Sequence, residues 1–198
     1  MTFNEIIKQA LEHLEYRADE DAVAEFHDRF ILYANEAVRI IAESLNMTET
    51  CDVIVNANEQ PGFNISDIET NIVGKRVTKI CDVYDKETKR PYMFFSGSEF
   101  GEFVVAARPG TDITVRYRYM PVDSTDGDAE PGIPAIFHPI LWMYIVYCHN
   151  NSRTSGVTGY SSQVWLAEFN RQMKVIRRAY GAFESYKIKN KPWQTGEM

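Results

Sequence analysis

The residues best suited to metal binding or nucleophilic chemistry, four histidines and three cysteines, are scattered along this sequence of 198 residues. His138 and His149 are eleven positions apart, which on a helix corresponds to roughly 16 Å, too far for one metal ion. Cys148 directly precedes His149, but adjacent helical side chains point about 100° apart, which favours a buried thiol. Neither spacing predicts a metal centre or an activated cysteine.

Carboxylates near His27 form a second candidate. His27 and Asp28, with Glu25 and Glu36 on the same predicted helix, combine residue types that bind metal ions. A charged outer helix face is the favoured alternative.

The acidic segment Pro121–Gly132 contains Asp126-Gly127-Asp128, a run that suggests calcium. Placing Gly127 at the invariant glycine of an EF-hand puts Val122 at the first ligand position and Ile133 at the bidentate glutamate position. Neither side chain can bind calcium, so we expect a solvated linker.

Sequence motifs for cofactor binding and hydrolysis are absent: the chain has no GxGxxG, GxxxxGK[ST], GxSxG or HExxH. We therefore expect no enzyme, no cofactor and no metal. A small metal-dependent enzyme with a hidden site around His27 and the acidic linker stays open as an alternative.

Apolar periodicity predicts helices at both ends of the chain. Thr2 and Glu5 have capping-box spacing, and Phe3 to Leu14 then repeats at helical steps. A longer helix is predicted from Val23 to Leu45. A third helix, apolar on every face, is predicted to end at Asn150, and a heptad helix is predicted from Leu166 to Phe183. These helices form the predicted bundle, residues 1–45 and 134–183.

Alternating residues in the middle predict strands. Cys51, Val53 and Val55 alternate with polar residues, and Val77–Tyr84 and Tyr92–Phe95 flank a polar hairpin tip. In Asp112–Tyr119, Ile113, Val115, Tyr117 and Tyr119 should face one way and Thr114, Arg116 and Arg118 the other. The polar stretch around Gly62 and Gly74 is predicted to be loop. We expect an α+β fold, a bundle of about four helices with an inserted small antiparallel sheet or barrel at 46–133, and an extended arm at 184–198.

The charge of the chain is unevenly distributed. The net charge is −7, with a balance of −12 in residues 1–133 and +5 in residues 134–198. An acidic chain argues against general nucleic-acid binding. The three unpaired cysteines and an N-terminus without signal-peptide features favour a reducing cytosol. The longest apolar tract, Ile133–Cys148, is too short for a membrane span.

Two charged stripes stand out on the predicted helices. The acidic stripe comprises Glu25, Asp28, Glu36 and Glu43. The basic stripe comprises Arg171, Lys174 and Arg178. They are either two independent solvated faces or complementary edges that meet between neighbouring subunits.

The segment Ile113–Phe183 carries a resemblance to a known family. A strand ending Tyr117-Arg118-Tyr119-Met120-Pro121 leads to an acidic linker, Ile133-Pro134, Phe137-His138, an aromatic-rich helix and a heptad helix. With the helix from Tyr33 to Leu45 upstream, this order resembles head-to-tail adaptor proteins of tailed bacteriophages, and is most similar to the adaptor, or gatekeeper, of short-tailed phages also called tail tubular protein A.

The resemblance implies a structural virion protein in the neck or tail. It implies a ring of identical subunits, usually twelve, that joins the portal to the tail tube, nozzle or tail-completion protein and passes double-stranded DNA without specific binding. Assembly would occur in the bacterial host cytoplasm, away from membranes. The β block would face the tail, and a C-terminal arm would reach into the portal. The matching arm residues are Lys187, Lys189, Lys191 and Trp193. Another tail-completion or baseplate assembly protein is the alternative within virion proteins.

Overall fold

The computed structural model describes residues 1–56, 61–152 and 159–189, with side chains described for 162–180 of the last stretch. The chain divides into two compact units. A helical unit combines Met1–Ile41 with the chain from Ser124 onward, and a β unit comprises Ala42–Asp123. Helices and small antiparallel sheets coexist in one chain, which confirms the predicted α+β fold.

The helical unit is built from four α-helices and one 3-10 turn. They are α1 (Phe3–His13), α2 (Glu20–Leu45, which continues into the β unit), a 3-10 helix (Ala135–Ile140), α4 (Leu141–Ser152) and α5 (Gly159–Lys189). Thr2 caps α1 as predicted: its backbone N–H donates to Glu5 Oε2 at 2.9 Å, and the Glu5 N–H donates to Thr2 Oγ1 at 3.3 Å. The cap explains why α1 begins at Phe3.

Apolar faces of these helices form the core of the helical unit. Phe3, Ile7 and Leu11 of α1 and Phe30 and Ile41 of α2 are buried. The most buried members on the C-terminal side are Phe137, Leu141, Ile145 and Phe169. In α4, Trp142 and Tyr147 keep partial exposure. The uniformly apolar α4 sequence therefore buries most, but not all, of its surface.

The acidic segment packs against the helical unit instead of extending into solvent as a linker. The Phe3 and Asn4 N–H groups donate to the carbonyls of Ala129 and Gly127 at 3.1 and 2.8 Å. The first N–H groups of a helix have no acceptor within the helix, and this segment supplies acceptors for two of them. The predicted β-domain boundary at 133 thus differs from the unit boundary at Ser124.

The β unit contains two three-stranded antiparallel sheets and a short helix. Its elements are β1 (Thr48–Ile54), β2 (Gly62–Asn64), α3 (Ile65–Glu69), β3 (Lys75–Asp85), β4 (Phe94–Ser96), β5 (Glu102–Val105) and β6 (Asp112–Pro121). The first sheet has the order β1-β6-β3 and the second the order β2-β5-β4. The segment around Gly62, predicted to be loop, therefore contains a strand and a capped helix.

Strand β6 is the centre of the first sheet, and its alternation is confirmed. Ile113, Val115, Tyr117 and Tyr119 are buried, while Arg116 is exposed and forms an ion pair with Asp82 of β3. The four buried residues of β6 join a core with Val53, Phe63, Ile68 and Val83. The burial of one face of β6 fixes the register of both neighbouring strands.

The predicted hairpin around residues 85–91 forms at its tip, where an antiparallel bridge joins Tyr84 to Pro91 and the Tyr92 N–H donates to Val83 O at 2.8 Å. The turn closes, because the Asp85 N–H donates to Arg90 O at 2.8 Å. Beyond it, β3 pairs with β6 and β4 pairs with β5, so the two strands belong to different sheets. Both strands have partners farther along the chain, which a local alternation pattern cannot indicate.

Helix α5 continues to Lys189, into the segment predicted to be an extended arm. One internal glycine, Gly181, costs a helix only about 1 kcal/mol. Between Gly181 and Lys189 no proline stops the helix, which explains its length.

Candidate subunit interface

All four acidic-stripe residues lie on the exposed surface of α2, but they do not share one environment. Asp28 is fully exposed beside His27, whose Nδ1 lies 3.2 Å from Asp28 Oδ1. The Glu36 carboxylate lies close enough to the Tyr144 hydroxyl of α4 to act on its pKa. Glu43 belongs to the β unit. The four carboxylates therefore have different surroundings.

The contact around Glu36 has an electrostatic consequence on α4. Burial first, and then the Glu36 carboxylate, raises the pKa of Tyr144 well above that of an exposed tyrosine. Burial, with the same carboxylate, raises the pKa of the Cys148 thiol to about 12. Removing a group from water disfavours its charged form, and a nearby negative charge adds to this effect. Cys148 is thus a protonated thiol at neutral pH and not a nucleophile.

The basic stripe on α5 is exposed along its length. Arg171 forms two hydrogen bonds with Glu168, Nε to Oε2 at 2.7 Å and Nη2 to Oε1 at 2.5 Å. These bonds, together with one from Gln172, lower the pKa of Glu168 to about 2. Lys174 and Arg178 have no carboxylate partner within the described residues. Two of the three cations are therefore free to meet a charge elsewhere.

A groove of about 760 Å³ opens between α1, the first turns of α2 and the acidic segment. Val23 and Ala24 of α2 are among its lining residues. The charged residues that line it are Glu5, Lys8, Glu20, Asp28 and Asp128, with His27 beside them. Four carboxylates against one lysine make the groove acidic. Glu20, His27 and Asp28 share α2, whereas Glu5, Lys8 and Asp128 come from other segments that helical periodicity cannot connect to it.

Gly127 shapes the wall of this groove through a close approach to α1. A Cβ atom at this position would lie 2.2 Å from Asn4 Oδ1. The same Asn4 side chain donates from Nδ2 to Asp128 Oδ1 at 3.0 Å. A glycine between two aspartates is therefore a packing requirement here, and the calcium interpretation is not needed to explain it.

Comparison with protein families decides the identity of the chain. A family model described as SU10 adaptor protein matches residues 1–186. The chain belongs to this family. It is thus similar over nearly its whole length to bacteriophage head-to-tail adaptor proteins, as the resemblance implied. No curated protein matches the chain.

The two C-terminal histidines of this adaptor are packing residues. The Nε2–H of His138 donates to Ile133 O at 3.0 Å. His149 is buried with its ring edge-on to Phe30, at a centroid distance of 5.4 Å, and to Phe26 at 6.0 Å. Each histidine has its own surroundings, and the structure does not bring them together.

Metal binding and membrane insertion each need a specific feature in the described part of the adaptor. Among these residues, no group of three or more His, Cys, Asp or Glu side chains is arranged to hold a metal ion. In the same residues no helix is both long and apolar enough to cross a bilayer.

The predicted arm residues lie at the end of the described chain or beyond it. Lys187 and Lys189 fall within α5. Lys191 and Trp193 lie outside the described residues.

The β unit carries exposed apolar side chains that the sequence analysis did not single out. Phe100 is fully exposed, Met93 is 73% exposed and Phe95 is 64% exposed. All three lie in or next to the edge strand β4 and the turn that follows it. Exposed apolar side chains near a sheet edge mark possible partner contacts.

Proposed function

We propose that this adaptor is a structural virion protein without catalytic activity that assembles into a ring, usually of twelve subunits, between the portal and the tail. The family match over residues 1–186 carries the proposal. A free basic surface on α5 and an acidic groove on the same unit support it, because unlike surfaces on one subunit suit a head-to-tail contact that closes into a ring.

The C-terminal segment is the proposed portal-binding arm. It contains Lys187, Lys189, Lys191 and Trp193. A basic segment with one aromatic anchor suits ordering on a partner surface. Because α5 extends to Lys189, the arm would begin as a continuation of this helix.

The β unit is the proposed contact with the tail tube, nozzle or tail-completion protein. The exposed Met93, Phe95 and Phe100 support this role, since a protein contact would remove their apolar surface from water. The assembled ring would form part of the DNA conduit in the virion, after assembly in the host cytoplasm. A net charge of −7 suits a lumen that passes double-stranded DNA without holding it.

Native mass of the purified chain, alone and mixed with portal rings, tests the proposal. We expect the full chain to join the portal as a ring of uniform mass. A variant that ends at Lys189 keeps α5 and removes Lys191 and Trp193 of the four arm residues, whereas a variant that ends at Phe183 also removes Lys187 and Lys189. Both should lose portal binding, the shorter one more completely.

The triple variant Lys187→Gln, Lys189→Gln, Lys191→Gln is the matched control for charge, because it keeps the length and Trp193. Full portal binding by the variant ending at Phe183 would contradict the proposal that the C-terminal segment binds the portal. A chain that binds only tail tubes and never portal rings would instead identify another tail-completion or baseplate protein.

A further inference from the structure

We propose that the α2 wall of the acidic groove is the docking surface for the α5 basic stripe of a second copy of this chain. The inference rests on the proposed ring, and it names the two surfaces that meet. It differs from the pairing of whole stripes because Glu36 lies beside Tyr144 of its own subunit and Glu43 belongs to the β unit.

The α2 surface has an acidic residue at each end and a small residue between them. Glu20, Ala24 and Asp28 follow one another at intervals of four, so they form a ridge about 12 Å long on one side of the helix. All three are exposed. Because Ala24 has no bulk beyond Cβ, a second helix can approach this ridge closely between the two carboxylates.

The α5 surface has the complementary order. Arg171, Val175 and Arg178 lie within about 60° of one another and span roughly 10 Å along the helix. Val175 is 51% exposed between the two arginines. Contact with a second helix would remove this apolar side chain from water, which is favourable. Cation, apolar residue and cation on α5 therefore match carboxylate, small residue and carboxylate on α2, in both spacing and charge.

Within the described residues, each surface keeps at least one charge that has no ion-pair partner. Glu20 forms no ion pair within the described residues, and Arg178 has no carboxylate partner there. Arg171 is bonded to Glu168, but both lie on the surface of α5, where an ion pair is weak and can rearrange. The two surfaces differ, and each copy carries one of each. A subunit can therefore contact one neighbour through α2 and the other through α5, so the contact repeats from subunit to subunit.

Cross-linking between two separately purified variants tests this contact. Ala24→Cys and Val175→Cys are mixed with a short bismaleimide at neutral pH, and the covalent heterodimer is quantified. We expect it to form at least tenfold faster than the product of Ala24→Cys with Val164→Cys, whose residue is equally exposed on α5 but about three turns away. Wild-type protein gives the background from Cys51, Cys81 and Cys148.

Charge exchange tests the electrostatic part. Adding Arg178→Glu to the Val175→Cys variant should slow cross-linking at least fivefold, and adding Asp28→Arg to the Ala24→Cys variant should restore it. Arg177→Glu is the matched control, because it makes the same change one position away, about 100° around the helix.

Two results would overturn the docking surface. One is cross-linking at position 175 that is no faster than at position 164. The other is an equal effect of Arg177→Glu and Arg178→Glu, which would mean that only net charge matters. If rings still form on the portal in either case, the docking surface alone is wrong. Failure of the wild-type chain to form a ring with portal contradicts the proposed function instead.

Discussion

Asn35 is a buried polar side chain on α2 whose two described hydrogen bonds both reach Ser124. Its Nδ2 donates to Ser124 O at 2.7 Å, and its Oδ1 accepts from the Ser124 N–H at 3.2 Å. The side-chain amide is therefore paired with both backbone polar groups of one residue. This pairing holds the start of the acidic segment against α2.

Replacement of Asn35 by alanine should lower the free energy of unfolding by about 2 to 3 kcal/mol, because it leaves the Ser124 N–H and C=O without these partners. Urea denaturation followed by circular dichroism measures the change. Leu32→Ala, on the exposed side of the same helix, is the control and should change stability far less. Equal effects of the two substitutions would show that the bonds to Ser124 contribute little.

Gly127 gives a second prediction at the residue scale. Gly127→Ala should destabilise the chain by about 1 to 3 kcal/mol, because the new Cβ displaces the Asn4 side chain from Asp128. The melting temperature measures the effect. Thr125→Ala, at an exposed position two residues earlier, is the control. An unchanged melting temperature would mean that Asn4 moves aside without loss.

Single residues also show where sequence reasoning stops. The Arg171–Glu168 pair is three positions apart on one helix, so helical geometry alone can predict it. Glu36 has the same exposed, charged appearance in the sequence, yet its partner Tyr144 comes from another helix. Periodicity indicates the face on which a side chain lies and does not indicate the element that packs beside that face.

At the scale of elements, the contact between α2 and α4 makes stability depend on alkaline pH. The folded chain raises the pKa of Cys148 from 9.0 to about 12 and also raises that of Tyr144. Between pH 9 and 11 the unfolded chain therefore binds fewer protons than the folded one, so stability falls as the pH rises.

We expect Cys148→Ala to reduce the slope of unfolding free energy against pH in this range, by at most about 1.4 kcal/mol per pH unit, the limit for one proton. Urea midpoints measured from pH 8 to 11 check this. Met143→Leu, a change on the same helix that does not titrate, should leave the slope intact. The prediction fails if both variants have the wild-type slope.

The strands show a second limit at the element scale. The inward face of β6 was predicted correctly because burial alternates with a period of two. The separation of β3 and β4 into different sheets was missed, because each pairs with a strand later in the chain. Strand existence is a local property, whereas strand pairing depends on closing long loops.

At the scale of the whole molecule, the β unit has a core of its own. Among the described residues, a core cluster of twelve buried side chains lies between Val53 and Tyr119. An isolated fragment of residues 42–123 should therefore fold and unfold cooperatively, since the apolar burial that drives folding lies within it.

Circular dichroism and thermal melting of this fragment test the prediction. A matched variant with Val115→Asp, which buries a charge at the centre of β6, should not fold. If the unsubstituted fragment is unstructured, the β unit needs the helical unit to fold.

The sequence by itself determined the α+β class, most helices, the inward face of β6 and the likeness to phage adaptors, because these depend on local periodicity and on the order of segments. The tertiary structure alone decided that the acidic segment packs on α1, that Glu36 lies near Tyr144, and that Glu20 and Asp28 share a groove with Asp128. These features join residues that are far apart in the chain, such as Asn35 and Ser124, which are 89 positions apart. Only chain closure brings such residues together, and it leaves no periodic pattern in the sequence.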